Sequence, residues 1–414
     1  MALTRVHLAR VANQARAIGG YGLAGLVSRA APLALLPFLA NNLDTVDLEL
    51  LVVSLASARI LSTLLLSGGH LNLMRSHFDS GRDSRNEALL LTLQIVALGS
   101  VASIVVPLVV GASWAPVPLL AAAFALLVVA TTSYRALERI PAFAAAETIQ
   151  TSLILVLCAL LVIVGIASLS PSTLLGLAGA LLALAIVCVR PTLPTSLIRH
   201  TRGLERPIHL VASQYKQHLR LIPHFAAGSA MVFAERWLVA DSGEDGYLNI
   251  YIASIVAGQF VLAITDVVSK WWQPFALQHL SEDESWLRAK LRLCPLLLLL
   301  LASAGSAMAV AYIIIAVPEE LRSFRIAVVG ALAFSCQALY VFLFPQVLHL
   351  GQEQLLGLIS PLAAALGVAT FAGLARTGNL DLLPSGYAIK ILIQTAAMFF
   401  IASKGWNQQR LKRA

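Results

Sequence analysis

The sequence contains few charged residues. Only 12% of its 414 residues are charged, whereas 58% are hydrophobic, and soluble domains average about 25% charged residues. The chain therefore lacks the polar side chains that would cover a water-exposed surface, so lipid must be the solvent for most of its length. The composition predicts an all-α, polytopic membrane protein.

The sequence also lacks the motifs that serve common enzymes. No lysine follows a glycine, which excludes the phosphate-binding loop of nucleotide hydrolases. The patterns HExxH, CxxC and GxSxG are absent, so we predict no zinc site, dithiol pair or serine nucleophile. The predicted connections are too short for an extracytoplasmic catalytic domain. We therefore predict no catalytic residue, no metal and no cofactor, and an enzyme is disfavoured.

What the sequence does contain is a series of apolar runs, each about 20 residues long, the length of a membrane-spanning helix. They predict about twelve spans. An amphipathic lead-in, in which Arg5, Arg10 and Arg16 alternate with apolar residues, precedes the first of them. The spans lie near 20–40, 48–68, 88–111, 116–134, 143–168, 172–190, 221–240, 247–268, 293–316, 325–347, 355–375 and 384–403.

The basic residues predict the orientation, because lysine and arginine accumulate in cytoplasmic loops. With the N-terminus in the cytoplasm, most of the 29 basic residues fall in cytoplasmic segments, above all in 190–220. The opposite loops are acidic, as at Asp44, Asp47 and Glu49. Both termini are therefore predicted to be cytoplasmic. The net charge of +8 reflects this topology and does not indicate a nucleic-acid partner.

The long basic segment 190–220 divides the predicted spans six and six. We predict an N-terminal six-helix bundle over 1–200, which includes the lead-in, and a C-terminal six-helix bundle over 201–414. Because both halves start on the same side of the membrane, they are expected to be parallel repeats. Transporters commonly place their substrate between such halves.

Three arginines within the predicted spans are candidate substrate-binding residues. A charge at the bilayer centre costs about 2.5–3.5 kcal/mol, so each of them needs a partner or a wet cavity. Arg29 and Arg59 lie in the first two spans and have no acidic residue within reach on their own helices. Two guanidiniums on neighbouring helices suit a phosphate or pyrophosphate group. Arg236, in the seventh span, is the third candidate.

Glu235 and Arg236 are adjacent, so they point about 100° apart on a helix and do not simply neutralise each other. A packing latch between helices is the alternative to substrate contact for this pair. Asp266 and Lys270 are four residues apart on one helix face, and an ion pair is the default interpretation there. If the protein couples transport to an ion or a proton, Glu235 and Asp266 are candidate coupling residues.

Glu147 is the third candidate for coupling. Like Lys390, it lies close enough to a span end for its side chain to reach the interface, a behaviour known as snorkelling. His224, at the inner end of the seventh span, is expected to be solvated.

Three segments carry a family resemblance. They are FAERWLV over 233–239, Gly246-Tyr247, and WWQPF over 271–275. The first span, from Arg29 through LPFL over 36–39, adds to it. The chain resembles the Wzx-type polysaccharide and oligosaccharide flippases of the multidrug/oligosaccharidyl-lipid/polysaccharide exporter superfamily. The departure from that family is the first outside turn, where NNLD over 41–44 replaces the usual glycine-containing turn.

The resemblance implies two six-helix bundles around a central cationic cavity, with Arg29, Arg59 and Arg236 as cavity cations. It implies a polyprenyl-pyrophosphate-linked sugar as the substrate, which is moved by alternating access from the cytoplasmic to the outer leaflet of the cell inner membrane. Other polysaccharide-assembly proteins are then candidate partners. Drug-exporting relatives depend on acidic residues in the early spans, which this sequence lacks beyond its outer turn.

Two alternatives stay open at this point. One is an ion-coupled exporter of small amphiphiles, and the other is an intramembrane polysaccharide polymerase or glycosyltransferase. Accumulation of unflipped lipid-linked precursor on loss of the protein would favour the flippase. Loss of polymer while single repeat units are still exported would favour the polymerase.

Overall fold

A computed structural model describes residues 34–70, 84–137, 139–166, 169–194, 222–241, 247–282, 294–350 and 352–413, together with Gly20, Gly25 and Leu73. The regular structure within these ranges is helical throughout, with no strand. The predicted all-α fold is confirmed.

The helices follow one another with short connections in each half of the chain. In the first half they are α1 (34–42), α2 (Thr45–Leu66), α3 (Ser84–Val110), α4 (Pro116–Ala136), α5 (Ile140–Ile163) and α6 (Pro171–Val189). In the second half they are α7 (Ile222–Ala240), α8 (Tyr247–Gly258), α9 (Phe260–Glu282), α10 (Cys294–Ala316), α11 (Phe324–Ser335), α12 (Gln337–His349), α13 (Glu353–Arg376) and α14 (Ser385–Arg413).

Within the described ranges, ten helical stretches are long and apolar enough to cross a membrane. One of them joins α8 to the start of α9, and another joins α11 to α12. They coincide with ten of the predicted spans. The first predicted span is described mainly from residue 34 onward, and α7 is less apolar because it carries His224, Glu235 and Arg236. The chain is thus a multi-pass membrane protein.

Local sequence signals account for where these helices begin. The carboxylate of Asp44 caps α2 by accepting a hydrogen bond from the Asp47 amide at 2.7 Å. Proline occupies the first turn of α4, α5 and α6, a position where its missing N–H costs nothing. Pro223 is the second residue of α7.

The N-terminal bundle is built around α4, which is the most deeply buried of its helices. Small side chains, among them Ala121, Ala123 and Ala125, let the neighbouring helices approach it closely. By contrast, α3 exposes apolar side chains such as Ile104 and Leu108. Exposed apolar surface of this kind is what a lipid environment requires.

The helices of the two halves, α1–α6 and α7–α14, form two bundles, and the bundles meet where α7 packs against α2. In the second bundle α7 and α14 both pack on α13, while α8 and α10 pack on α11. The predicted boundary at 200/201 lies outside the described residues and stays a prediction.

Candidate functional site

Arg59 lies in the middle of α2, and its guanidinium is turned into the N-terminal bundle. Its Cζ atom stands 4.1 Å from the centre of the Phe124 ring on α4. Its Nη2 atom donates a hydrogen bond to the carbonyl oxygen of Gln150 on α5 at 3.2 Å. An arginine that stacks on a ring and bonds a carbonyl has a fixed orientation. The structure therefore holds the guanidinium of Arg59 at the meeting point of α2, α4 and α5.

Glu147 lies on α5, one turn before Gln150, and it is buried. This differs from the snorkelling side chain expected near a span end. The reason is that α5 begins at Ile140, so Glu147 stands about two turns inside the helix. A buried carboxyl group is thus present in the same bundle as Arg59.

Glu235 is the buried polar centre of the C-terminal bundle. The hydroxyl of Tyr387, on α14, donates to its Oε2 at 2.7 Å. The hydroxyl of Tyr251, on α8, donates to its Oε1. Both carboxyl oxygens therefore bind a tyrosine, each from a different helix, and Glu235 joins α7 to α8 and α14.

Arg236 points to a different partner from Glu235, as their spacing predicts. Its Nη1 atom donates to the carbonyl oxygen of Val52 on α2 at 3.3 Å. Val52 lies seven residues before Arg59, which is about two turns along the same face of α2. Arg236 therefore joins the two bundles in this structure, and its guanidinium stands at a different depth from that of Arg59.

Asn249 makes a second contact between the bundles, and nothing in the sequence singled it out. Its Nδ2 atom donates to the carbonyl oxygen of Ala40, on α1, at 2.9 Å. In the predicted orientation both this bond and the bond between Arg236 and Val52 lie in the outer half of the membrane. An asparagine near a helix start is too common for sequence reasoning to find such a role.

A second polar cluster lies in the predicted inner half of the C-terminal bundle. The two ring nitrogens of His224 contact the hydroxyls of Ser360 and Tyr340, at 2.6 and 2.9 Å. The Nε2 atom of Gln394 donates to the Ser360 hydroxyl at 2.7 Å. We call these four residues the histidine cluster. His224 is buried, not solvated as its position suggested, because α13 and α12 cover it.

Two of the predicted site residues cannot be compared with the structure. Arg29 lies outside the described residues. Asp266 lies on α9, but its side chain, like that of Lys270, is outside the described part. The proposed pairing of Asp266 with Lys270 stays a prediction. None of the described histidine, cysteine, aspartate and glutamate residues forms a group of three that could hold a metal ion.

The fold is that of MATE transporters. A crystal structure of a point mutant of the Vibrio cholerae MATE transporter VcmN is similar with a TM-score of 0.61 and 12% identity, over 96% of this chain and 98% of that chain. The bent form of VcmN gives a TM-score of 0.58 at 12% identity, over 97% and 98% of the two chains. An inward-facing multidrug resistance MATE family transporter of the MOP superfamily gives 0.52 at 11% identity, over 96% of each chain.

Sequence comparisons add nothing to this likeness. No protein-family model matches the chain, and no curated protein matches it. At 11–12% identity the structural neighbours show the fold, which has two bundles of helices. What those proteins transport is a property of those proteins, and the shared fold does not assign it to this chain.

Proposed function

We propose that this chain is a flippase that moves a polyprenyl-pyrophosphate-linked oligosaccharide from the cytoplasmic to the outer leaflet of the cell inner membrane. The observation that carries the proposal is Arg59, a cation fixed in the middle of a membrane helix within a fold shared with transporters. A guanidinium in this place suits an anionic headgroup, because its planar set of N–H donors matches phosphate oxygens.

The sign of the charge in the early helices supports an anionic cargo. The acidic residues of α2, Asp47 and Glu49, lie near its start, and the acidic residue of α3, Glu87, lies in its first turn. The middle of these two helices therefore carries a positive charge at Arg59 and no negative one. A cationic drug would find no carboxylate in the middle of these two helices to replace its lost hydration, and the buried carboxyl group of this bundle, Glu147, lies on α5.

Alternating access is supported by where the bundles touch. The bonds from Arg236 to Val52 and from Asn249 to Ala40 hold the two bundles together in the predicted outer half. Each bond uses a backbone carbonyl as the acceptor, so it can break and re-form without leaving a buried carboxylate unpaired. Separation of these contacts would open the space between the bundles outward and release Arg236 to serve as a cavity cation.

The energy source is proposed to be the membrane potential or a coupled proton. Moving one charge across 100 mV is worth about 2.3 kcal/mol. Among the candidate coupling residues, Glu235 and Glu147 are buried carboxyl groups, one in each bundle. Asp266 stays a third candidate.

The experiment compares Arg29→Ala, Arg59→Ala and Arg59→Lys in cells that assemble the lipid-linked sugar but lack the wild-type protein. We expect cells with Arg59→Ala to accumulate precursor on the cytoplasmic leaflet. Arg59→Lys should restore flipping only in part, because an ammonium lacks the planar pair of N–H donors that binds two phosphate oxygens. Arg139→Ala is the matched control, since that arginine is exposed at a helix end. Normal flipping by Arg59→Ala, at normal membrane levels, would refute the proposal.

The fold favours one second candidate, an ion-coupled exporter of small amphiphiles, because its neighbours include a multidrug resistance transporter. Dye efflux from whole cells separates the two candidates. If the protein is such an exporter, its presence lowers dye accumulation in the cells, and its loss leaves the flipping of the lipid-linked precursor unchanged. The polymerase or glycosyltransferase alternative predicts exported single repeat units with no polymer. Other polysaccharide-assembly proteins are the proposed partners of the flippase.

A further inference from the structure

Lys390 is a charged residue of a membrane helix whose ammonium group is turned into the protein. On α14 its neighbours Ile389 and Leu392 are 37% and 46% exposed toward the lipid side, whereas Ile391 and Gln394 are each 4% exposed. Lys390 stands at the edge of the buried face. Its Nζ atom lies 3.3 Å from the position that a Cβ would take on Gly228 of α7. The side chain thus reaches across to α7 and does not snorkel toward the headgroups.

No anion partners this ammonium group within the part of the chain that the structure describes, where Lys390 forms neither a hydrogen bond nor an ion pair. The histidine cluster is close enough for an electrostatic interaction between Lys390 and His224. The four members of that cluster hydrogen-bond to one another, however, and none of them is acidic. The buried carboxyl group of the same bundle, Glu235, accepts its hydrogen bonds from two tyrosines.

Gly228 lets the ammonium group approach the backbone of α7. Among the described atoms, only Lys390 Nζ would come within 4 Å of a Cβ at this position. Glycine in the interior of a helix is unfavourable relative to alanine, so its presence calls for a local reason. The ammonium group therefore lies directly against the backbone of α7 at Gly228, where even a methyl group would crowd it.

We propose that the ammonium group of Lys390, where it lies against Gly228, is an anion-binding site of the C-terminal bundle, which takes a phosphate group. The inference rests on the proposed function and deepens it: Lys390 would bind, from the C-terminal bundle, the diphosphate of the lipid-linked sugar that Arg59 is proposed to bind from the N-terminal bundle. The ammonium is a compact point charge with three N–H donors, whereas the guanidinium of Arg59 presents a planar set of N–H donors that can bind two oxygens at once. One multiply charged group could then bind to both bundles during transport.

The binding experiment uses the full-length protein in detergent and two probes, undecaprenyl diphosphate and inorganic pyrophosphate. Lys390→Met removes the charge at similar length, and we expect it to weaken undecaprenyl diphosphate binding about tenfold or more. Lys390→Arg should stay within about threefold of wild type. Gly228→Ala should weaken binding as well, while Gly176→Ala is the matched control because nothing lies within 4 Å of its Cβ position.

Thermal unfolding without any probe gives an independent readout. Because Lys390→Met removes a charge that no described residue neutralises, we expect its Tm to be higher than that of wild type, and the increase in Tm on adding pyrophosphate to be lost. This readout also shows that the variant is folded.

The outcomes separate the two proposals. If Lys390→Met binds both probes as tightly as the wild type does, the proposed anion-binding site is overturned. If Arg59→Ala nevertheless fails to flip the precursor, the proposed flippase function stands without the site at Lys390. Binding of inorganic pyrophosphate that depends on Lys390, without binding of undecaprenyl diphosphate, supports the phosphate site but points to a free phosphate compound and against the flippase. Binding of neither probe by the wild type overturns the site.

Discussion

The side-chain amide of Asn249, on α8, donates a hydrogen bond to the carbonyl oxygen of Ala40, on α1, at 2.9 Å. This bond joins the two bundles across 209 positions of sequence. The Oδ1 atom of Asn249 is buried and has no hydrogen-bond partner among the described residues. An unsatisfied buried acceptor costs about 1–3 kcal/mol, so this contact does not lock the bundles together irreversibly.

Cysteines at these two positions should therefore stop transport reversibly. In a background without the four native cysteines, the pair Ala40→Cys and Asn249→Cys is expected to cross-link on oxidation, because the side chain of one residue already contacts the backbone of the other. Cross-linked protein should lose flipping and regain it with a reductant. Each single cysteine variant is the control. Full activity of the cross-linked protein would show that the bundles do not separate here.

The tyrosine contacts of Glu235 predict a shared structural role. Tyr387→Phe or Tyr251→Phe removes one hydroxyl from a buried carboxyl group and should cost about 1–3 kcal/mol in stability. Because both hydroxyls bind the same carboxyl group, the double variant should deviate from additivity. Thermal unfolding of the purified protein measures this. Tyr247→Phe is the comparison, since its hydroxyl binds Asp381 near the membrane surface.

The ring of Phe124 should matter to Arg59. Phe124→Leu keeps an apolar side chain but removes the aromatic face 4.1 Å from the guanidinium, a contact worth about 0.5–2 kcal/mol. We expect weaker binding of undecaprenyl diphosphate by severalfold, with the protein still folded. Phe143→Leu, at a buried phenylalanine of α5, is the control for lost aromatic volume. Equal effects of the two variants on binding would contradict a specific role of Phe124.

At the break between α8 and α9, the close approach of α11 leaves no room for a side chain on Gly258. A Cβ there would stand 2.9 Å from the backbone nitrogen of Ala331 on α11. Gly258→Ala is therefore expected to destabilise the protein by about 1–3 kcal/mol. Gly179→Ala on α6, where nothing lies within 4 Å, should be neutral or slightly stabilising. Comparable melting temperatures for the two variants would refute the close approach of α8 and α11.

Labelling of single cysteines tests the orientation. Arg139 and Asn379 are both exposed, one between α4 and α5 and the other after α13. In a cysteine-free background, a membrane-impermeant maleimide added to intact cells should label Asn379→Cys and spare Arg139→Cys, which becomes reactive in inverted vesicles. The reverse pattern would place both termini outside.

The amino-acid sequence was enough to predict the helices, because a spanning helix must bury its backbone hydrogen bonds and present apolar side chains to lipid, which are local properties. The apolar runs predicted the ends of α4, α6 and α7 within a few residues. The same local rule failed to resolve the breaks at Gly258 and Cys336, where a single span divides into two helices. These breaks depend on how neighbouring helices pack.

The direction of each charged side chain was decided only in three dimensions. Sequence placed Lys390, Glu147 and His224 near span ends and suggested contact with water or headgroups, yet all three turn inward. A helix fixes where a side chain starts, but a long or polar side chain reaches the partner that tertiary packing supplies. For the same reason the tyrosines that bind Glu235 and the carbonyl that binds Arg236, distant in sequence, appeared only once the bundles were assembled.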